Sequence, residues 1–192
     1  MVVHIYGRLC DMKAIHKIAR KHKLKVIEDA CEAQGAVYKS KADITCYSFY
    51  ANKIIHAEEG GICTTDNKKY ADRMNFLKNM AFDAGHTYFH TEVGYNYRMP
   101  DSQAKLAIQS LKDYPKENRR RRQAEKQFNK VVPIELQMPK RDAVWVYDVK
   151  EKLTGKDTRP FFQPLSSMPA FGGKYKSPKA KYYSEIGSYY KI

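Results

Sequence analysis

Val26-Ile27-Glu28-Asp29-Ala30-Cys31-Glu32-Ala33-Gln34-Gly35-Ala36 is the stretch on which the fold turns. Leu24 to Glu28 reads as a short strand that ends at Asp29. Ahead of it, Val2 to Tyr6 reads as another short buried strand. Between the two lies a helix. Asp11 is its N-cap, because a short acidic side chain can accept one of the orphan N–H groups of a first turn. Met12, Ile15, Ile18 and Ala19 then recur on one face at helical spacing. The cations Arg20-Lys21-His22-Lys23 close the helix at the end where its dipole favours positive charge. Strand, helix and strand by Asp29 make a βαβ unit, which implies parallel strands and a right-handed crossover.

Working outward, Ile44 to Tyr50 reads as a third strand, with Thr45, Tyr47 and Phe49 alternating against Cys46, Ser48 and Tyr50. Gly60-Gly61 is a tight turn, followed by a fourth strand, Ile62 to Thr65. Asp66 can cap a helix to about Met80, and a loop rich in Gly, His and aromatics runs from Phe82 to Asn96. Ser102 to Leu111 is helical, and Pro115 is expected to separate it from a polar, arginine-rich helical stretch, Lys116 to Lys130. Asp142 to Val149 and Thr158 to Gln163 read as extended, and the tail from Met168 onward shows no period. The fold class is therefore α/β. A boundary at Leu111 to Pro115 divides a larger α/β part, 1–114, from a linking helix and a smaller α+β part, 115–192.

Of the 192 residues 43% are hydrophobic, enough for a packed core. No apolar run approaches the roughly 18 residues a membrane helix needs. Met1 to Gly7 has no basic region followed by a long apolar stretch, so the expected compartment is the cytoplasm. Cys10, Cys31, Cys46 and Cys63 show no metal-type spacing, and the last three are expected to be small buried residues in or beside strands. No metal is expected. The formal charge of +14 is compatible with anionic partners. Its densest run, Arg119 to Arg122, reads as a solvated helix face, and no nucleic-acid signature accompanies it.

In open α/β sheets ligands gather at the carboxyl ends of parallel strands, and two chemically able residues stand there, Asp29 and Lys53. Alone, each has a plain explanation: a turn acid and a solvated lysine. Their company changes that. The segments Val3-His4-Ile5-Tyr6-Gly7, Val26 to Ala36, Cys46-Tyr47-Ser48-Phe49-Tyr50-Ala51-Asn52-Lys53, Glu59-Gly60-Gly61, Gly94-Tyr95-Asn96-Tyr97-Arg98-Met99 and Asp157-Thr158-Arg159-Pro160-Phe161-Phe162 follow one another along most of the chain. In kind and order they resemble the sugar aminotransferases of the DegT-like family, a branch of the fold-type I pyridoxal-phosphate enzymes. The Asp-Ala-Cys-Glu-Ala and Ser-Phe-Tyr-Ala-Asn-Lys pieces look most like the branch that makes 4-amino-4,6-dideoxy sugars, perosamine among them.

The resemblance implies a partial fold-type I architecture: a mixed, mostly parallel sheet with helices on both faces, plus an incomplete small C-terminal domain. It implies pyridoxal 5'-phosphate as cofactor, with Lys53 as the amine that holds its aldehyde carbon and then moves a proton. Asp29 would stand against the ring nitrogen, where a carboxylate keeps the nitrogen protonated. Glu32 matches a polar group against the phenolic oxygen, Ser48 a hydroxyl on the phosphate, and Asn96 a phosphate contact from the neighbouring subunit. A homodimer with a shared site follows. Arg159 could meet the phosphates of a nucleotide sugar or pair at the surface. The implied reaction passes an amino group from glutamate to the 4-keto carbon of a nucleotide-linked 4-keto-6-deoxy sugar. A dehydratase branch of the same fold carries His where this chain has Lys53. Family members carry a long segment ahead of the part matching His4 to Gly7, holding a helix N-terminus that binds the cofactor phosphate. The expectation is accordingly a truncated member, and the competing reading is a non-catalytic remnant that acts as a binding subunit.

Overall fold

The computed structural model describes residues 1–83, 86–171 and 177–192; the parts of the aromatic loop and of the tail at 84–85 and 172–176 lie outside the described residues. The N-terminal part is a four-stranded sheet in the order β1 (Val2–Val3), β2 (Ile27–Asp29), β3 (Ile44–Ser48), β4 (Gly61–Thr64). β1, β2 and β3 are parallel, and β4 runs antiparallel to β3. The expected mostly parallel α/β sheet is present. α1 (Met12–Lys21) makes the crossover from β1 to β2, and Asp11 caps it by accepting the Ala14 N–H at 3.0 Å.

β1 is shorter than the apolar run Val2 to Tyr6 suggested. The chain turns at Ile5–Gly7 with Tyr6 and Gly7 both in the left-handed region, φ 51° and 76°. Glycine is required at position 7, because a Cβ there would lie 2.0 Å from the Ala143 carbonyl oxygen. That close approach lets the Gly7 carbonyl accept the N–H groups of both Asp142 and Ala143, which stitches the N-terminal strand region to the C-terminal part. Arg8 adds a bidentate pair with the buried Asp148.

α2 (Lys68–Lys78) is capped by Asn67 rather than Asp66, its carboxamide accepting the Lys69 N–H at 2.9 Å. β5 (Phe82–Asp83) pairs with β6 (His86–His90). The larger departure follows. Asp101–Val131 is one continuous helix, α3, with Pro115 inside it. An interior proline costs about 3 kcal/mol, since it removes one helical hydrogen bond and crowds the preceding turn. Here tertiary anchors hold the helix on both sides of that point. Ser110 accepts the His56 N–H at 3.0 Å and the Tyr114 hydroxyl donates to the Gly35 carbonyl before that point, and Arg121 donates to the Trp145 carbonyl beyond it.

The C-terminal sheet has the order β7 (Val146–Val149), β9 (Ser188–Lys191), β8 (Thr158–Pro160), all antiparallel neighbours. Its central strand β9, and the helix α4 (Pro178–Ile186) before it, come from the tail that showed no period. The core sits between the two parts: Tyr6, Ile54, Ala143, Trp145, Val146, Phe161 and Tyr189 form one buried cluster.

Two further sequence expectations are corrected at this level. The arginine run is not simply a solvated face, because Arg121 is buried and donates to the Trp145 carbonyl at 2.5 Å, while Arg122 donates to the carbonyls of Arg141 and Asp142. The three strand cysteines are not buried: Cys31 and Cys46 are half-buried and Cys63 is exposed, because β4 is an edge strand with all four of its residues open.

Candidate active site

Lys53 stands on the segment that leaves β3 and returns as β4. Local bonds define its shape. Lys53 N–H bonds the Tyr50 carbonyl, Ala51 N–H bonds Glu58, and Ala57 N–H bonds Phe49. Gly60 closes the segment at φ +110°, a backbone region open to glycine, and a Cβ there would press the Met99 methyl at 2.7 Å. Gln34 clamps the segment from outside. Its amide nitrogen donates to the carbonyls of Ser48 and Ile55 at 2.8 and 3.0 Å, and its oxygen accepts the Ile55 N–H at 2.8 Å. Ile54, next to Lys53, is 3% exposed and plugs the shared core. The lysine backbone is therefore fixed from three directions.

The Lys53 side chain is 10% exposed, with Nζ 3.8 Å from Glu32 Oε1. The same nitrogen lies 3.9 Å from the centre of the Trp145 ring, a cation–π geometry. Trp145 in turn donates its indole N–H to the Asn52 carbonyl at 2.9 Å. Burial lowers the Lys53 pKa below the ordinary lysine value; the negative charges of Glu32, Cys31 and Asp29 offset part of that. Burial pushes the Glu32 carboxyl up to about 7, against the opposing pull of the Tyr6 N–H, which donates to Oε2 at 2.6 Å, and of Lys53. A near-neutral carboxyl thus faces an amine that gives up its proton more readily than a solvated lysine.

Asp29 ends β2, where the register sets it beside Val3 and Cys46. Its Oδ1 accepts the Cys31 N–H at 3.0 Å, and its charge acts on both Lys53 and Glu32. Asp29, Glu32 and Lys53 therefore form one electrostatic cluster at the ends of the parallel strands. Ser48, the last residue of β3, uses its hydroxyl to accept the Tyr50 N–H at 3.1 Å, which shapes the start of the lysine segment. Asn96 lies apart: it is exposed, and its side chain accepts the Arg98 N–H at 3.2 Å. Arg159 is also exposed, and its guanidinium bonds the carbonyls of Lys156 and Thr158 in its own turn.

Three contributors were not singled out from sequence. Trp145 is the ring beneath the amine, Gln34 the clamp, and Tyr6 both a backbone donor to Glu32 and, through its hydroxyl, the acceptor of the Phe162 N–H at 2.9 Å. His4 is wholly buried against Glu28, whose carboxylate takes hydrogen bonds from Ser40 and Thr45. Among the described residues no group of three or more His, Cys, Asp or Glu side chains is arranged to hold a metal ion, and no helix is long and apolar enough to cross a membrane.

Comparison with known proteins gives this cluster a context. Residues 1–147 match the DegT/DnrJ/EryC1/StrS aminotransferase family. The chain is 33% identical to a GDP-perosamine synthase of Caulobacter vibrioides over 89% of its own length and 54% of that protein's. It is 32% identical to a GDP-perosamine synthase of Escherichia coli O157:H7, covering 92% of this chain and 55% of that one. Among solved structures, DesV of S. venezuelae superposes with a TM-score of 0.85 at 25% identity, over 100% of this chain and 59% of DesV. The chain thus spans about half the length of the curated relatives it matches. The buried lysine at the strand ends and the match over residues 1–147 agree, and the chain belongs to the DegT/DnrJ/EryC1/StrS aminotransferase family.

Proposed function

We propose that this chain carries the lysine side of a sugar aminotransferase site, passing an amino group from glutamate to the 4-keto carbon of a nucleotide-linked 4-keto-6-deoxy sugar. The single observation that carries the reading is the cluster of Lys53, Glu32 and Asp29: a buried amine of lowered pKa beside two carboxyl groups at the ends of parallel strands. Aminotransferases of this family work with pyridoxal phosphate, which when bound supplies an electron sink for the carbon that gains or loses nitrogen.

The donor set fits that group, since the Lys53 amine is held in place yet remains 10% exposed, and the charges of Glu32 and Asp29 both act on it. Lys53 is the residue for the aldehyde carbon, Asp29 for the ring nitrogen, Glu32 for the phenolic oxygen and Ser48 for the phosphate. Asn96, exposed and away from its own cluster, is the contribution to a neighbouring subunit's site in a homodimer, and Arg159 the contact for a nucleotide-sugar phosphate. Burial favours the neutral form of Lys53, the form in which Nζ can act as nucleophile and then as base. Glu32 Oε1, at 3.8 Å and with a pKa of about 7, can hold the proton that Nζ releases. The Trp145 ring covers one side of the amine and keeps water from it.

In this reading residues 1–114 are part of the large cofactor-binding domain, 115–192 are the linking helix and part of the small domain, and the setting is cytoplasmic. A second reading is a binding subunit of the same family without catalysis. Transfer of isotopic nitrogen separates the two. The chain is incubated with pyridoxal phosphate, 15N-glutamate and a panel of GDP-, UDP- and dTDP-linked 4-keto-6-deoxy sugars. We expect label in an amino sugar and none with Lys53→Ala; a cofactor-loaded chain that labels no sugar supports the binding subunit, and label that survives Lys53→Ala overturns both.

A further inference from the structure

Cys46 and Cys63 stand directly opposite each other on the antiparallel strands β3 and β4, with their sulfurs 3.7 Å apart. Phe49 N–H bonds the Gly60 carbonyl at 2.9 Å further along the same ladder. Paired and unpaired rungs alternate in such a ladder, so the Cys46–Cys63 rung is a non-hydrogen-bonded one. Side chains approach most closely there, with Cα atoms about 4.5 Å apart, inside the range of about 4.4–6.8 Å that a disulfide takes. The other two thiols have no opposed sulfur: Cys10 donates to the Val3 carbonyl and Cys31 to that of Cys46.

We propose that Cys46 and Cys63 are an oxidisable pair that closes to a cross-strand disulfide in the presence of a small-molecule disulfide such as oxidised glutathione, stapling the segment that carries Lys53. The 46–63 span holds Ser48, Lys53 and the Gly60 turn, and the cross-link ties its two ends together. Cys63 is exposed and is the first nucleophile. Its thiolate attacks one sulfur of oxidised glutathione, forming a mixed disulfide and releasing one glutathione thiolate. Cys46 loses its proton, attacks the Cys63 sulfur and expels the second glutathione. Two protein thiols are thereby oxidised to one disulfide while one glutathione disulfide is reduced to two thiols. Cys46 is half-buried, and burial and the neighbouring Cys63 thiol push its pKa up, which accords with the exposed thiol reacting first. A closed segment has less conformational freedom in the unfolded chain than an open one and so loses less of it on folding, and the oxidised chain should therefore melt higher than the reduced chain.

The full chain is incubated with oxidised glutathione, digested without reduction and mapped by mass spectrometry, beside Cys46→Ser and Cys63→Ser. The expected result is one internal disulfide joining Cys46 to Cys63, Cys10 and Cys31 still free, and a raised melting temperature. Cys46→Ser should keep glutathione on Cys63 as a stable adduct, and Cys63→Ser should form no internal disulfide. Serine is close to cysteine in size, and circular dichroism checks that both variants fold. Glutathione retained on Cys63 of the unsubstituted chain, a bridge to Cys31, or a bridge between molecules would overturn the proposal.

Discussion

Replacing Glu32 by Gln tests how the site stores a proton. Glutamine keeps the shape and an acceptor for the Tyr6 N–H, which reaches Glu32 Oε2 at 2.6 Å, but it cannot ionise. Burial raises the Glu32 pKa from 4.5 to about 7 in the folded chain. Between those two pH values the folded form holds a proton that the unfolded form has released. Stability contributed by the neutral carboxyl is complete below about pH 4.5 and falls as pH rises toward 7. With about 1.4 kcal/mol for each pH unit, the loss across that window is on the order of 3 kcal/mol. The Glu32 side chain is only 9% exposed, so solvent screening reduces this little. Urea denaturation at pH 5 and pH 8 measures it, with the difference between the two proteins removing the titration of every other carboxylate and histidine. The unsubstituted chain should lose about 2–3 kcal/mol more than Glu32→Gln on going from pH 5 to pH 8. Equal losses in the two proteins would show that Glu32 titrates as a solvated group, and the proton-sharing account of Lys53 would fall with it.

Arg121→Met should cost about 2 kcal/mol, because it leaves the Trp145 carbonyl and Glu117 without their buried donor, whereas exposed Arg119→Met should stay within about 0.5 kcal/mol; urea midpoints compare them. Pro115→Ala should stabilise the chain, by up to about 3 kcal/mol, since it restores a backbone donor inside α3; an unchanged or lower melting temperature would mean that the helix is bent to suit the ring.

The path from residues to site was readable wherever chemistry followed local pattern. Asp29 and Lys53 could be placed together because each follows a strand of a parallel pair, and Asp11 could be named as a cap from its position before an apolar period. Pro115 misled because its backbone angle suits a helix, so it breaks one only when nothing else holds the helix, and Ser110, Tyr114 and Arg121 do hold it. The arginine run misled because its charges repeat on a helical surface while the carbonyls that bind Arg121 and Arg122 come from residues 141–145. β9 was illegible: its Ser188 and Tyr189 are buried, but its short polar-aromatic pattern gains meaning only between β7 and β8. Trp145 could not be found at all from local spacing, since it meets Lys53 and Asn52 across most of the N-terminal part.

The account rests on Lys53 as the amine that takes the cofactor. The most direct measurement adds pyridoxal phosphate to the chain, reduces with borohydride and locates the attached group by peptide mass. Attachment confined to Lys53, with Lys53→Ala left unmodified, is the predicted result. Attachment spread over the exposed lysines, unchanged in Lys53→Ala, would contradict it.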